Sequence, residues 1–175
     1  MMEMVLRVVV YAASVWLSQK YADGYWVVGP AFGLAVAIFA WMSSKDRDAK
    51  KCVVFVAAST LIYALVYWLS RLDWRNNSDL FEYFLGPLPA GVITGSMLLP
   101  AAHARIFKTP HLLAAKTALG LIISFYIITL LGYLDDKVGF GMNIPWLSVM
   151  IAVWQGIYLY LFFIKRERDS DVVHV

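Results

Sequence analysis

Charged residues are scarce in this chain. Only 15% of its 175 residues are Asp, Glu, Lys or Arg, whereas a soluble domain usually carries roughly a quarter. Hydrophobic residues make up 61% of the chain, and the mean hydropathy is +0.67. This composition excludes an ordinary soluble domain and indicates an integral membrane protein.

Cysteine is nearly absent, and the familiar catalytic motifs are missing. The single Cys52 cannot form an internal disulfide and has no CxxC partner. The sequence has no Gly-rich phosphate loop, no Gly-x-Ser-x-Gly elbow and no His-Glu-x-x-His. No Cys, Asp or Glu lies between residues 83 and 134, although a zinc site normally needs three or four protein ligands. We therefore predict no metal, no cofactor and no catalytic residue, which favours a non-enzymatic role.

A continuous basic stripe is also missing. The formal net charge is +3 and the sequence pI is about 9.0, but the basic residues lie in short clusters between apolar segments. Membrane topology produces such clusters, and they do not form the basic surface that a nucleic acid requires. The sequence therefore argues against a nucleic acid as a partner.

The sequence does contain six apolar segments of about the length that crosses a bilayer, which is roughly 20 residues. They predict an all-α integral membrane protein in which residues 1–175 form one transmembrane bundle and residues 165–175 form a charged tail. The predicted spans are approximately 4–21, 25–42, 52–70, 83–102, 112–134 and 145–164.

The basic residues predict the orientation of these spans. Six spans place every Lys and Arg on one side of the membrane except Lys20, Arg71, Arg75 and Lys137. Because cytoplasmic loops are enriched in Lys and Arg, both termini are expected in the cytoplasm. The compact chain favours the cytoplasmic (inner) membrane of a bacterium or archaeon.

The second, fourth and sixth spans share a pattern of small residues at helical spacing. All three begin at proline, which suits the first turn of a helix, and small residues four apart let helices approach closely in a membrane. We predict a weak parallel repeat of helical hairpins, made of the second and third spans and of the fourth and fifth. The predicted packing residues are Gly29, Gly33, Ala37, Gly91, Gly95, Ser148, Ala152 and Gly156.

Polar side chains at bilayer depth are costly and therefore informative. Gln155 lies near the middle of the sixth span, where it would either bind a solute or bridge two helices. Lys116 lies about one turn inside the fifth span, where it would either face a cavity or reach the headgroups. Thr94 and Ser124 are weaker ligand-binding candidates, because a helical hydroxyl can satisfy itself on its own backbone.

The turn between the fourth and fifth spans carries His103, Arg105, Lys108 and His111. We predict that these side chains contact lipid headgroups or phosphate at the cytoplasmic surface, since basic loops bind anionic lipids. Histidine can also transfer protons near neutral pH, so a lipid-directed membrane enzyme acting through the His103–His111 loop is an alternative.

The leading interpretation is a membrane component that binds or transports a small solute, an ion or a lipid. A structural or regulatory subunit, whose small-residue faces bind other membrane chains, is the alternative from another class. Membrane lipids are the expected partners, together with further copies of the chain or a separate membrane subunit.

Overall fold

The computed structural model describes residues 2–21, 25–43, 48–70, 84–138 and 145–164, and within these ranges it contains helices and no strand. The predicted all-α class is confirmed. The predicted tail at 165–175 lies outside the described residues. The helices are α1 (Met2–Lys20), α2 (Tyr25–Ser43), α3 (Ala49–Ser70), α4 (Pro87–Phe107), α5 (His111–Val138) and α6 (Trp146–Leu159), the last continued by a π-helical turn, Tyr160–Ile164.

Local chemistry explains several helix ends. The Asp48 carboxylate accepts hydrogen bonds from the backbone N–H groups of Lys50 and Lys51, at 3.0 and 3.3 Å, and so caps the start of α3. At the end of α4, Lys108 is left-handed with φ 54°, and the Thr109 N–H donates to the Ala104 carbonyl. Helix α4 therefore continues to Phe107, five residues beyond the predicted end of the fourth span.

The six helices form a ring in chain order, and the last helix returns to the first. Each helix packs against the next one, and α6 packs against α1. Successive helices run in opposite directions, so Arg7, Lys50, Lys51, Arg105 and Lys108 gather at one end of the ring, which we call the basic end. The other end is called the opposite end.

Glycine explains the close packing of α2 and α4 on α3. A Cβ atom on Gly29 would lie 2.8 Å from the Thr60 Cα atom, and one on Gly91 would lie 2.8 Å from the Val66 carbonyl oxygen. Gly33 and Gly95 would make similarly short contacts with α3. Helix α3 is thus held between two small-residue faces. Because these faces point at the same helix from its two sides, the hairpins do not occupy equivalent positions, and the contacts give the predicted parallel repeat no support.

The small residues of α6 lie against α1. The Tyr11 hydroxyl donates to the Ala152 carbonyl at 2.8 Å, and the Gln19 amide donates to the Ser148 carbonyl at 3.3 Å. A Cβ atom on Gly156 would lie 3.2 Å from the Tyr11 hydroxyl oxygen. This face closes the ring.

The outer surface of the ring is strongly apolar. Leu61 on α3 is 72% exposed, and Val8 on α1 is 60% exposed. Among the described residues, three helices are long and apolar enough to cross a membrane: Trp26–Ser43 within α2, α3 and α5. Since few water-soluble proteins expose so much continuous apolar surface, these helices indicate a membrane protein.

Candidate functional site: a cavity inside the helix ring

Gln155 is fully buried inside the ring, where its amide bridges α6 to α1. The Ser14 hydroxyl donates to the Gln155 Oε1 atom at 3.0 Å, and Gln155 Nε2 donates to the Ser18 hydroxyl oxygen at 2.9 Å. The two serines are four residues apart and therefore share one face of α1. Of the two roles considered for Gln155, the structure contains the bridge.

The same Gln155 amide borders a cavity of about 170 Å³ in the lumen of the ring. The lining residues come from the parts of α1, α2, α3, α4 and α6 that lie toward the opposite end. We call this space the central cavity. It is lined by Ser18, Val28, Tyr63, Val66, Tyr67, Ser70, Val92, Gly95, Leu99, Met150, Ile151, Trp154 and Gln155.

The cavity lining is mainly apolar, and several of its polar groups are already hydrogen-bonded. None of the lining residues in the described part of the chain is charged. The Trp154 indole N–H donates to the Ser96 hydroxyl oxygen at 2.9 Å, and the Ser70 hydroxyl donates to the Tyr67 carbonyl at 2.9 Å. Ser18 and Tyr63 lie around the Gln155 amide and form one polar group with it, and Tyr67 adds a further hydroxyl-bearing side chain to the lining.

Aromatic rings fill the lumen between the central cavity and the basic end. Phe32 contacts Tyr158 with ring centroids 5.2 Å apart, and Tyr158 contacts Phe162 at 4.9 Å. These rings are all less than 2% exposed. They form the aromatic cluster, which we define as Phe32, Phe55, His103, Tyr158 and Phe162. The cluster closes the inner end of the central cavity.

His103 belongs to this cluster, which corrects the prediction that it lies in an exposed basic turn. It is 1% exposed on the inner face of α4, and its ring stacks on Phe162 with centroids 4.0 Å apart. Its Nδ1 atom lies 3.1 Å from the Tyr158 hydroxyl oxygen, and that hydroxyl donates to the Leu99 carbonyl at 3.3 Å. Because α4 extends past Ala102, helical geometry turns His103 into the lumen.

The other residues of the predicted basic turn lie on the surface. Arg105, Lys108 and His111 are exposed at the basic end. The structure therefore separates His111 from the buried His103, and the two histidines do not form the pair that the lipid-enzyme alternative requires. Contact of the three exposed side chains with headgroups or phosphate stays a prediction.

The predicted ligand-binding residues do not converge. Lys116 is exposed on α5. Thr94 donates to the Ala90 carbonyl at 2.8 Å, and Ser124 donates to the Leu121 carbonyl at 2.9 Å, so both hydroxyls are bound to their own helices. Gln155 is the member of this set that lines the central cavity.

Two groups of residues at the site share a four-residue spacing that is visible in the sequence but is not part of the prediction. Ser14 and Ser18 are spaced by four residues on the first span, as expected for two partners of one buried side chain. Trp154, Tyr158 and Phe162 are also spaced by four residues, which places three aromatic rings along one side of α6 and the π-helical turn that continues it. These two patterns mark the lumen-facing sides of the helices that close the ring.

Comparisons with known proteins identify no family for this chain: no family model, no curated protein and no solved structure matches it. Within the described residues, no group of three or more His, Cys, Asp and Glu side chains is placed to hold a metal ion. The central cavity and its lining are therefore the candidate functional site of the described bundle.

Proposed function

We propose that the protein is a membrane component with six spans and both termini in the cytoplasm, which binds a small molecule or a lipid in its central cavity. The apolar outer surface and the three membrane-length helices support the membrane setting. The gathering of Lys and Arg at the basic end supports the orientation. In this orientation the central cavity lies toward the outer face of the cytoplasmic membrane.

The observation that carries the proposal is a mainly apolar cavity with a few polar groups at one place. Small-molecule sites are typically concave and apolar, with a small number of polar groups that fix orientation. The central cavity has this composition, with the Gln155 amide as its polar feature. An ion is less well suited, because no charged side chain lines the space within the described residues.

Binding accounts for the structure more directly than complete transport does. The aromatic cluster fills the lumen between the central cavity and the basic end. A ligand that crossed the bundle would have to displace these rings. Transport would therefore require a second arrangement of the cluster, in which α4 and α6 move apart.

If the protein were a structural or regulatory subunit, its small-residue faces would be expected to bind a partner chain, but these faces are already occupied. Gly29, Gly33, Gly91 and Gly95 all lie against α3 of the same chain, at distances that leave no room for another helix. These faces stabilise the ring itself. A partner chain would have to bind elsewhere on the outer surface.

Native mass spectrometry of the full chain, extracted from its host in mild detergent, tests the proposal. We expect a stoichiometric bound species in the wild type that is lost in Val92→Phe, because the larger side chain occupies the cavity. Leu61→Phe, a matched enlargement on the outer surface, should keep the species. Absence of any bound species, or its retention in Val92→Phe, would contradict binding in the central cavity.

A further inference from the structure

Two hydroxyl groups at the central cavity have protons that no acceptor receives within the described part of the chain. Ser18 is 0% exposed and accepts a hydrogen bond from Gln155 Nε2, but its own proton has no acceptor there. Tyr63 also lines the cavity, where its hydroxyl hydrogen-bonds with the Gln155 side chain. The second N–H of the Gln155 amide can donate in that contact, which leaves the Tyr63 proton for a ligand. Buried polar groups are nearly always paired, so the cavity offers two donors to a ligand.

Several other hydroxyls in the bundle donate to their own helix, whereas Ser18, like Ser96, only accepts a hydrogen bond within the described residues. Thr60, Thr94 and Thr117 each donate to the carbonyl four residues earlier in the same helix, at 2.8 to 2.9 Å. This backbone bond is the ordinary solution for a helical hydroxyl in an apolar setting. Ser18 does not form this backbone hydrogen bond, although the Ser14 carbonyl lies four residues earlier in the same helix.

Two acceptor atoms at the cavity are already engaged. Gln155 Oε1 accepts from Ser14, and the Ser18 oxygen accepts from Gln155 Nε2. A ligand donor would therefore meet oxygens at Gln155 and Ser18 that already accept a hydrogen bond, whereas a ligand acceptor would meet the hydroxyl protons of Ser18 and Tyr63. A charged ligand would lose its hydration without gaining an opposite charge, which is costly in an apolar site.

The volume of the cavity limits the size of the ligand. The space measures about 170 Å³, and an engineered protein cavity of roughly 150 Å³ holds a benzene molecule. The central cavity therefore accommodates one substituted ring or a few carbons of a chain. A larger ligand would place one end in the cavity and leave the rest outside it.

Building on the proposed function, we infer that the central cavity binds an uncharged, mainly apolar group about the size of a benzene ring, which presents an acceptor oxygen to the hydroxyls of Ser18 and Tyr63. The oxygen is a carbonyl, an ether or a hydroxyl. Such a group belongs either to a free small molecule or to one end of a membrane lipid, and the probes below distinguish these sources.

Three probes of similar shape test the inference on the full chain in lipid nanodiscs. Acetophenone is neutral and has an acceptor oxygen, cumene lacks the oxygen, and benzoate is charged. Binding is measured by saturation-transfer NMR as the signal that Val92→Phe removes, which excludes probe dissolved in lipid. We expect acetophenone to bind roughly three- to tenfold more tightly than cumene, the effect of one hydrogen bond, and benzoate not to bind.

Tyr63→Phe removes one donor while keeping the ring, whose centroid lies 6.0 Å from that of Phe32. This variant should reduce the preference for acetophenone over cumene, with little effect on cumene itself. Tyr126→Phe is the matched control, since the Tyr126 hydroxyl donates to the Phe84 carbonyl away from the cavity. If the preference for acetophenone over cumene is unchanged in Tyr63→Phe, the Tyr63 hydroxyl does not bind the ligand.

The outcomes separate this inference from the function on which it rests. Equal binding of acetophenone and cumene, or tighter binding of benzoate, would overturn the ligand class and leave cavity binding standing. No specific signal from any probe, together with no bound species in native mass spectrometry, would overturn both. Dodecanophenone, which carries the same carbonyl and ring on a long chain, identifies a lipid source if it binds more tightly than acetophenone.

Discussion

The two halves of the lumen differ in the size of the side chains that fill them. Toward the basic end, α2, α3 and α4 contribute Phe32, Phe55 and His103. Phe32 and His103 pack against rings of α6 and its π-helical turn, and Phe55 packs on His103. Toward the opposite end, α2 and α4 contribute mostly smaller residues, α3 contributes Val66 beside the rings of Tyr63 and Tyr67, and a cavity remains. The cavity-lining residues from these helices include Val28, Val66, Val92 and Gly95. A single ring of helices can therefore be closed at one end and hollow at the other without any change of backbone architecture.

The largest expected effect is from removing a ring in the filled half. Phe55 is 0% exposed, and its centroid lies 5.5 Å from that of His103 and 5.6 Å from that of Phe107. Phe55→Ala should lower the free energy of unfolding by about 3 kcal/mol or more, because it leaves a void among packed rings. Thermal unfolding in a fixed detergent measures the change.

Tyr67→Ala is the matched control for Phe55→Ala, since it removes an aromatic ring from the same helix at the central cavity. We expect a clearly smaller loss of stability, because the Tyr67 side chain is half-buried and already borders empty space. Equal losses in the two variants would break the distinction between the filled and hollow halves.

A smaller effect is expected from Gln155→Leu in the hollow half. The substitution keeps the side chain at a similar size but removes both hydrogen bonds to α1. Interhelical hydrogen bonds in membranes contribute about 0.6 kcal/mol each, so stability should fall by about 1 kcal/mol. Hydrogen exchange should increase in α1 around Ser14 and Ser18 while α3 stays protected.

Ser124→Ala provides the comparison for Gln155→Leu, because its hydroxyl bonds only within α5 among the described residues. That variant should change the free energy of unfolding by no more than a few tenths of a kcal/mol. It should leave hydrogen exchange in α1 unchanged. Unaltered exchange of α1 in Gln155→Leu would show that the bridge does not hold the first helix in the ring.

The smallest effect is expected outside the lumen, at the Asp48 cap. The backbone hydrogen bond from Lys51 lowers the pKa of the Asp48 carboxyl below its ordinary value of 3.8, and the Lys51 side chain adds to the effect. The pKa of Asp48 is lower in the folded state than in the unfolded state. The ionised cap therefore stabilises the protein fully at pH values above the ordinary pKa of 3.8, and this stabilisation is lost as the pH falls through the folded-state pKa.

Asp48→Ala should therefore lower the melting temperature slightly at pH 7 and have progressively less effect as the pH falls below 3.8. Asp136→Ala, at an exposed carboxylate that lies 3.9 Å from the Lys137 ammonium group, is the control. It should have little effect at either pH, since exposed ion pairs contribute little. A cost of Asp48→Ala that persists undiminished at low pH would contradict the charged cap.

The sequence was sufficient for the helical class and the membrane character, because both follow from long apolar segments. It also predicts helix packing at Gly29, Gly91 and Gly156, where an added Cβ atom would lie 2.8, 2.8 and 3.2 Å from an atom of a neighbouring helix. It could not show that the Gly29 and Gly91 faces share α3, because helical spacing identifies a face without identifying the neighbour. The predicted repeat of helical hairpins depends on which helix each small-residue face contacts.

The site was harder to predict than the fold, for a related reason. Gln155 was identified because an amide is unusual at its depth, but the partners that satisfy it lie at the other end of the chain. The sequence predicts His103 in a turn because Arg105 and Lys108 follow it. The end of α4 depends instead on the left-handed backbone at Lys108, which the sequence pattern does not show. The central cavity arises from the absence of side-chain volume at several helices, which no single segment reveals.

The closure of the ring by Gln155 has a consequence for biosynthesis. Its partners Ser14 and Ser18 precede it by 141 and 137 residues, so α1 must wait until the ribosome has completed α6. A nascent chain that ends before residue 146 can build only an open crescent of five helices. The lumen, and with it the central cavity, is the last part of the molecule to form, and contacts between such distant segments are slow to assemble.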